Sequence, residues 1–171
     1  MEGIINGIID LFSGLGSLKF GKELIVFIIS FCPILELRGG LIAASLLNMD
    51  PACSYIISII GNVLPVPFVL LFINKILLRM SKSNVRWMYK TANFLYEKAE
   101  KNKEAISKYG YLGLTLFVGI PLPGTGAYTG CLVASVFNMD KKKSFWCILL
   151  GIFMASVIMM LISFGILDKI I

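Results

Sequence analysis

Histidine is absent from this chain, and its four cysteines, Cys32, Cys53, Cys131 and Cys147, stand far apart with no CxxC pair. Metal sites of the usual Cys/His kind are therefore not expected. A Ser-His-Asp or Cys-His arrangement cannot be assembled, which disfavours an ordinary hydrolase. The expectation is a protein that is not an enzyme and needs no cofactor, with the cysteines as small apolar thiols. Charge is scarce as well: 15% of residues are charged against 57% hydrophobic, and mean hydropathy is +0.85. The net charge of +6 gathers mostly in one stretch, as membrane topology rules favour, so no nucleic-acid partner is expected. The start, Met1-Glu2-Gly3-Ile4-Ile5-Asn6, is acidic where a leader peptide would be basic, and no processing is expected.

What the chain does have is apolar length. Runs at 55–73 and 145–167 approach or exceed the ~20 residues that cross a hydrocarbon core. The first holds only Asn62 as a strongly polar side chain and the second holds no charge. The reading is an all-α integral membrane protein, one membrane domain over 1–171. Residues 1–20 suit an amphipathic interfacial helix. Residues 52–78 form a helix begun by Asp50-Pro51 and kinked by Pro65 and Pro67, which remove backbone hydrogen bonds. The stretch 79–108 carries most of the cations, with Val85, Met88, Ala92, Leu95 and Ala99 at helical spacing. It reads as an amphipathic helix on the cytoplasmic membrane surface.

Two other apolar segments are interrupted. In 24–47 the interruption is Pro33-Ile34-Leu35-Glu36-Leu37-Arg38-Gly39-Gly40; in 111–138 it is Pro121-Leu122-Pro123-Gly124-Thr125-Gly126-Ala127-Tyr128-Thr129-Gly130. Each arm has about a dozen residues or fewer, too short at ~1.5 Å per residue to cross ~30 Å. Each segment is either one broken helix that crosses or a re-entrant hairpin. Sliding the chain by 90 residues aligns Pro33 with Pro123, Gly40 with Gly130, Ala44-Ser45 with Ala134-Ser135, Asn48-Met49-Asp50 with Asn138-Met139-Asp140, Ser54 with Ser144 and Gly61 with Gly151. Nine of the 29 positions in 33–61 are identical without a gap, and most matches are polar or glycine rather than generic apolar residues. The repeats are 22–78 and 109–168. Counting cations does not choose the topology, since both readings place 12 on one side and 3 on the other.

Internal symmetry around broken hydrophobic segments points to a midplane transport site between repeats. The breaks precede short helices, expected to begin near Gly39 and near Thr125, whose starts favour anions. Arg38 offers a fork for phosphate or carboxylate, with Gly39, Gly40, Gly124 and Gly126 allowing close backbone approach. Glu36, a carboxylate out of water, is suited to carry a proton in a coupled cycle. Paired with Arg38 it is instead a structural link, for which Pro33 and Gly39 must supply irregular backbone. Asn62 is either the wall of a polar cavity or the partner of a carbonyl freed by Pro65. Thr125, Tyr128 and Thr129 either touch substrate or pack helices through their hydroxyls.

The Pro33-x-x-Glu36-Leu37-Arg38-Gly39 and Pro121 to Gly130 motifs together resemble the small multidrug export proteins and, more distantly, the DedA or VTT (SNARE-associated) membrane proteins. The resemblance covers about 24–167. It implies two re-entrant hairpins inserted from opposite faces, hence an inverted repeat in a multi-pass plasma-membrane protein with 79–108 in the cytoplasm. From the more distant relatives it implies transport or flipping of lipid carriers such as a polyprenyl phosphate, linked to protons. The leading expectation is a proton-coupled transporter or lipid flippase for an amphiphile with an anionic group. The alternatives are an exporter of cationic drugs with Glu36 as counter-ion, and a non-transporting scaffold. Membrane lipids, protons and a second copy of the chain as homodimer complete the expected partners.

Overall fold

The computed structural model describes residues 20–81, 103–122 and 124–165, with positions 7, 86, 90, 93, 94 and 97 besides. Pro123, most of the expected interfacial helix at 1–20, most of the cationic stretch 79–108 and the end of the second repeat past 165 lie outside the described residues. Among the described residues every regular element is an α-helix: α1 Gly21–Phe31, α2 Glu36–Leu46, α3 Pro51–Val63, α4 Val66–Ser81, α5 Lys103–Gly119, α6 Ala127–Val136 and α7 Lys141–Gly165.

The punctuation follows the residues expected to set it. Cys32, ahead of Pro33, takes the extended conformation that a following proline favours (φ −69°, ψ 128°) and ends α1. The Asp50 carboxylate accepts from the Cys53 N–H at 2.9 Å with Pro51 in the first turn of α3. The expected kink at the prolines is a break between α3 and α4 at Leu64–Pro65, while Pro67 sits harmlessly in the first turn of α4. In α5 the backbone leaves helical geometry at Gly110 (φ 55°, ψ −125°), near the start of its apolar part, Tyr109–Gly119.

Two stretches are long and apolar enough to cross a membrane, Pro51–Ser81 with 31 residues and Lys141–Gly165 with 25. Only 33% and 39% of their most apolar windows is buried, so most of that surface faces outward, unlike the core helix of a soluble protein. Ile56, Ile60, Phe68, Leu71 and Phe72 are among the exposed apolar side chains. By contrast α1 and α2 have 11 residues each, about 17 Å at ~1.5 Å per residue.

The described residues fall into two compact units, one drawn from Met1–Leu64 with Phe153–Ile171, the other from Pro65–Ile152. In the first, α1, α2 and α3 pack on one another around Ile25, Ile29, Leu35 and Ala43, and around Val26, Ala44 and Met49 with Phe164 of α7 against them. Ser45 Oγ donates to the Ser163 carbonyl at 2.9 Å, and Ser156 Oγ to Tyr55 Oη at 3.0 Å. In the second unit α6 packs on α4 and α5. Each long apolar stretch therefore contributes to both units; the second unit is one continuous run, and the first joins the two ends of the chain.

The matched residues of the repeat have a local cause. At the end of α2 the Asn48 N–H bonds to the Ser45 carbonyl at 3.0 Å and the Met49 N–H to the Ala44 carbonyl at 3.0 Å. At the end of α6 the same pair recurs, Asn138 to Ser135 at 3.2 Å and Met139 to Ala134 at 2.9 Å. Both are Schellman ends, with Asn48 (φ 48°) and Asn138 (φ 50°) as the left-handed residue that asparagine tolerates. Asp140 then repeats the role of Asp50, its Oδ1 accepting from the Lys143 N–H at 2.9 Å.

Candidate functional site

The first break places its charges inside the protein. Glu36 is 7% exposed and Arg38 9%, and Glu36 is the charge that acts on Arg38. The helix begins at Glu36 rather than near Gly39, so both charges lie in its first turn. The irregular backbone that lets them interact two residues apart sits at Glu36 itself, not at Gly39. Glu36 has φ +53°, a conformation uncommon for residues other than glycine and often associated with functional sites. Its N–H still closes a turn onto the Cys32 carbonyl at 2.9 Å.

Gly39 and Gly40 do not line open space; they let α2 approach its neighbours. A Cβ on Gly39 would lie 2.6 Å from Leu35 Cβ, and one on Gly40 would overlap the Ser30 hydroxyl and lie 3.1 Å from Ser58 Oγ. Gly61, on α3, brings that helix against α1: a Cβ there would lie 2.9 Å from the Phe27 carbonyl oxygen. Where lipid replaces water, such small-residue crossings hold helices together by close contact rather than by hydrophobic burial.

This crossing is polar. Ser30, Ser58 and Asn62 have no exposed surface, and Ser30 Oγ, Ser58 Oγ and both polar atoms of Asn62 have no hydrogen-bond partner. Ser54, Ser58 and Asn62 follow at four-residue steps on the buried face of α3. Of Asn62's two readings, bonding to a carbonyl freed by Pro65 is not what the side chain does. Buried polar groups are nearly always satisfied, by protein, water or ligand, which makes this stripe a candidate for hydrogen bonds to water or a guest. Sequence reasoning missed Ser30 and Ser58. The signal was present in the Ser54-x-x-x-Ser58-x-x-x-Asn62 spacing, which puts three polar side chains on one helix face.

The second break, in the other unit, uses backbone instead of charge. Gly124 (φ 86°) and Gly126 (φ 152°) occupy conformations that favour glycine, and the helix begins at Ala127 rather than near Thr125. The Thr125 hydroxyl donates to the carbonyls of Ile120 and Leu122, both at 2.9 Å, and so fixes the loop. Tyr128 and Thr129 are half-buried on α6, and Pro121 half-buried at the loop's start. Gly126 stands in the repeat position of Glu36, and Tyr128 in that of Arg38.

Neither the curated proteins nor the solved structures include a match to this chain. A family model described as "Putative small multi-drug export protein" matches residues 36–158, a span that runs from the buried Glu36 through both break-and-helix modules into α7. The chain belongs to the small multi-drug export protein family.

Proposed function

We propose that this chain is a membrane transporter in which the first break does the ionic work, moving an amphiphile with an anionic group, such as a polyprenyl phosphate, in a proton-coupled cycle. The observation that carries the reading is the burial of Glu36 and Arg38 together in the first turn of α2, in the unit that also holds the unpartnered Ser30, Ser58 and Asn62. A charge inside a membrane segment costs ~2.5–3.5 kcal/mol or more and marks a site by default. Arg38 is the anion binder in this scheme and Glu36 the proton carrier; the hydroxyls and the Asn62 amide supply hydrogen bonds. Gly39 and Gly40 keep α2 in place. In the other unit, Gly124, Thr125 and Gly126, with Tyr128 and Thr129, offer backbone and hydroxyl groups as a separate candidate contact for polar substrate atoms.

The same proposal includes the finer topology: the pairs α1–α2 and α5–α6 as re-entrant hairpins of opposite orientation in the plasma membrane, with 79–108 cytoplasmic. The shortness of the arms and the repeated caps support it. Cysteine-accessibility labelling near Asp50 and near Asp140 tests it, and labelling of both from one face overturns it.

A second reading, export of cationic drugs with Glu36 as counter-ion, is favoured by the family's name. Purified protein in liposomes separates the two. Glu36→Gln and Arg38→Ala variants are assayed for phosphate-lipid translocation and for drug uptake under a pH gradient. Loss of lipid translocation in both variants supports the first reading. Drug transport that depends on Glu36 and not on Arg38 supports the second. Unaltered activity in both variants removes the site assignment, and inactivity of the folded parent toward either substrate leaves a scaffold.

A further inference from the structure

The Lys141-Lys142-Lys143 run at the start of α7 has no part in the transport reading, yet it borders two adjoining cavities. One, of about 240 Å³, has apolar walls from Pro67, Leu71, Phe145 and Trp146, with Lys142 at its edge. The other, of about 160 Å³, is lined by Asn74, Ser135 and Asn138. Leu70 and Lys141 line both. An apolar trough thus continues into a polar recess, with a lysine at the junction.

We propose that this paired cavity between α4, α6 and α7 seats one anionic phospholipid, its phosphate on Lys141 and Lys142 and an acyl chain along Leu71, Phe145 and Trp146. The charges around the recess fit that occupant. Asp140 turns its carboxylate back to the Lys143 N–H at 2.9 Å, and Lys143 Nζ lies 5.9 Å above the Tyr111 ring, so Lys141 and Lys142 are the cations left at the cavity. Both are exposed at the end of a helix long enough to span, where lysines meet lipid phosphates. Trp146 is 62% exposed and Leu71 50%, a wall suited to hydrocarbon and to the interfacial depth that tryptophan prefers. Asn74, Ser135 and Asn138 add donors and acceptors for a glycerol headgroup. A zwitterionic lipid would bring its own cation toward the two lysines. The preference for an anionic headgroup is therefore roughly twentyfold, about one factor of five for each lysine.

The chain has two tryptophans, so in a Trp87→Phe background Trp146 reports alone. Reconstituted protein is titrated with brominated phosphatidylglycerol or brominated phosphatidylcholine, whose bromines quench tryptophan on contact. Half-maximal quenching at a mole fraction roughly twentyfold lower for the anionic lipid is expected. That preference is lost in Lys141→Gln/Lys142→Gln and kept in Lys75→Gln/Arg79→Gln, which removes cations of α4 that line neither cavity. Equal quenching by the two lipids overturns the proposal, as does a preference that survives loss of Lys141 and Lys142. A preference abolished equally by the α4 control assigns the effect to diffuse surface charge and also overturns it. Glycerol 3-phosphate is the soluble arm: reversal of quenching by it at millimolar concentration makes the recess a site for free phosphoesters rather than a lipid seat.

Discussion

Gly40 and Gly130 hold the same place in two copies of one helix crossing, and what each faces is different. Gly40 lies against Ser30 and Ser58; Gly130 lies against Val118 and Ile148. Asn62 in the first copy becomes Ile152 in the second, buried in both cases. Glu36 and Arg38 become Gly126 and Tyr128. Gly61 and Gly151 play one role, each pressed against a backbone carbonyl of the helix two before it, Phe27 and Thr115 respectively. The two copies share caps, glycines and close approach; the second also holds a buried hydroxyl without a partner, Ser144, and the first adds an amide and two charges. Geometry of this kind is needed for packing in either copy. A buried amide without a partner and two buried charges are not, which is the reason to place function in the first copy.

The sharpest way to break that comparison is Arg38→Ala. It leaves Glu36 buried without its counter-charge, at an expected cost of ~3–5 kcal/mol, read as lost folded yield and a lower Tm in detergent. Tyr128→Ala, at the matched position, strands no ion and should cost well under half as much. Glu36→Gln/Arg38→Gln should recover much of the stability without recovering transport. Equal costs for Arg38→Ala and Tyr128→Ala would remove the energetic contrast between the copies.

Next in size are Gly61→Ala and Gly151→Ala. Each puts a methyl 2.8 to 2.9 Å from a carbonyl oxygen that cannot rotate away, an overpacking cost of about 1–3 kcal/mol. The two should match, and thermal unfolding of both variants under one condition checks it. A smaller contrast is expected at the crossing itself. Gly130→Ala meets Val118 Cγ2 at 2.6 Å, a β-branched side chain stiff at χ1. Gly40→Ala meets a serine hydroxyl that can swing aside, so it should lower Tm less, and Ser30→Ala should restore most of what is lost.

The smallest expected change in stability separates folding from function. Asn62→Leu removes a buried amide without partners and should hold Tm or raise it by the equivalent of about 1 kcal/mol, while transport falls. The reciprocal Ile152→Asn brings an amide into an apolar crossing and should lower Tm by about 1–3 kcal/mol. A transport rate unchanged by Asn62→Leu would detach the polar stripe from the site.

Much of the architecture was legible in residue types with a single structural use. Pro33 and Pro65 end helices, Asp50 and Asp140 cap them, and Asn48-Met49 and Asn138-Met139 are Schellman ends written in sequence. The repeat was visible because these residues recur at one spacing. Its extent was less visible. The second break is longer, so α1 ends at Phe31 and the apolar arm of α5 at Gly119, an offset of 88 rather than 90. That is why Ser30 corresponds to Val118, a match the ungapped alignment hides. That the Glu36 charge acts on Arg38 was left open because it depends on a left-handed φ at Glu36 that no local residue type dictates.

By itself the sequence determined the membrane class, the two spanning stretches, the places where helices break and the family. These follow from apolar length and from backbone chemistry within a few residues of each break. Tertiary structure decided which side chains meet at the glycine crossings and which polar groups remain unsatisfied there. It also joined the two ends of the chain in one compact unit and left the middle as the other. Those outcomes depend on how closely helices remote in sequence approach, which a side chain at one position permits but does not specify.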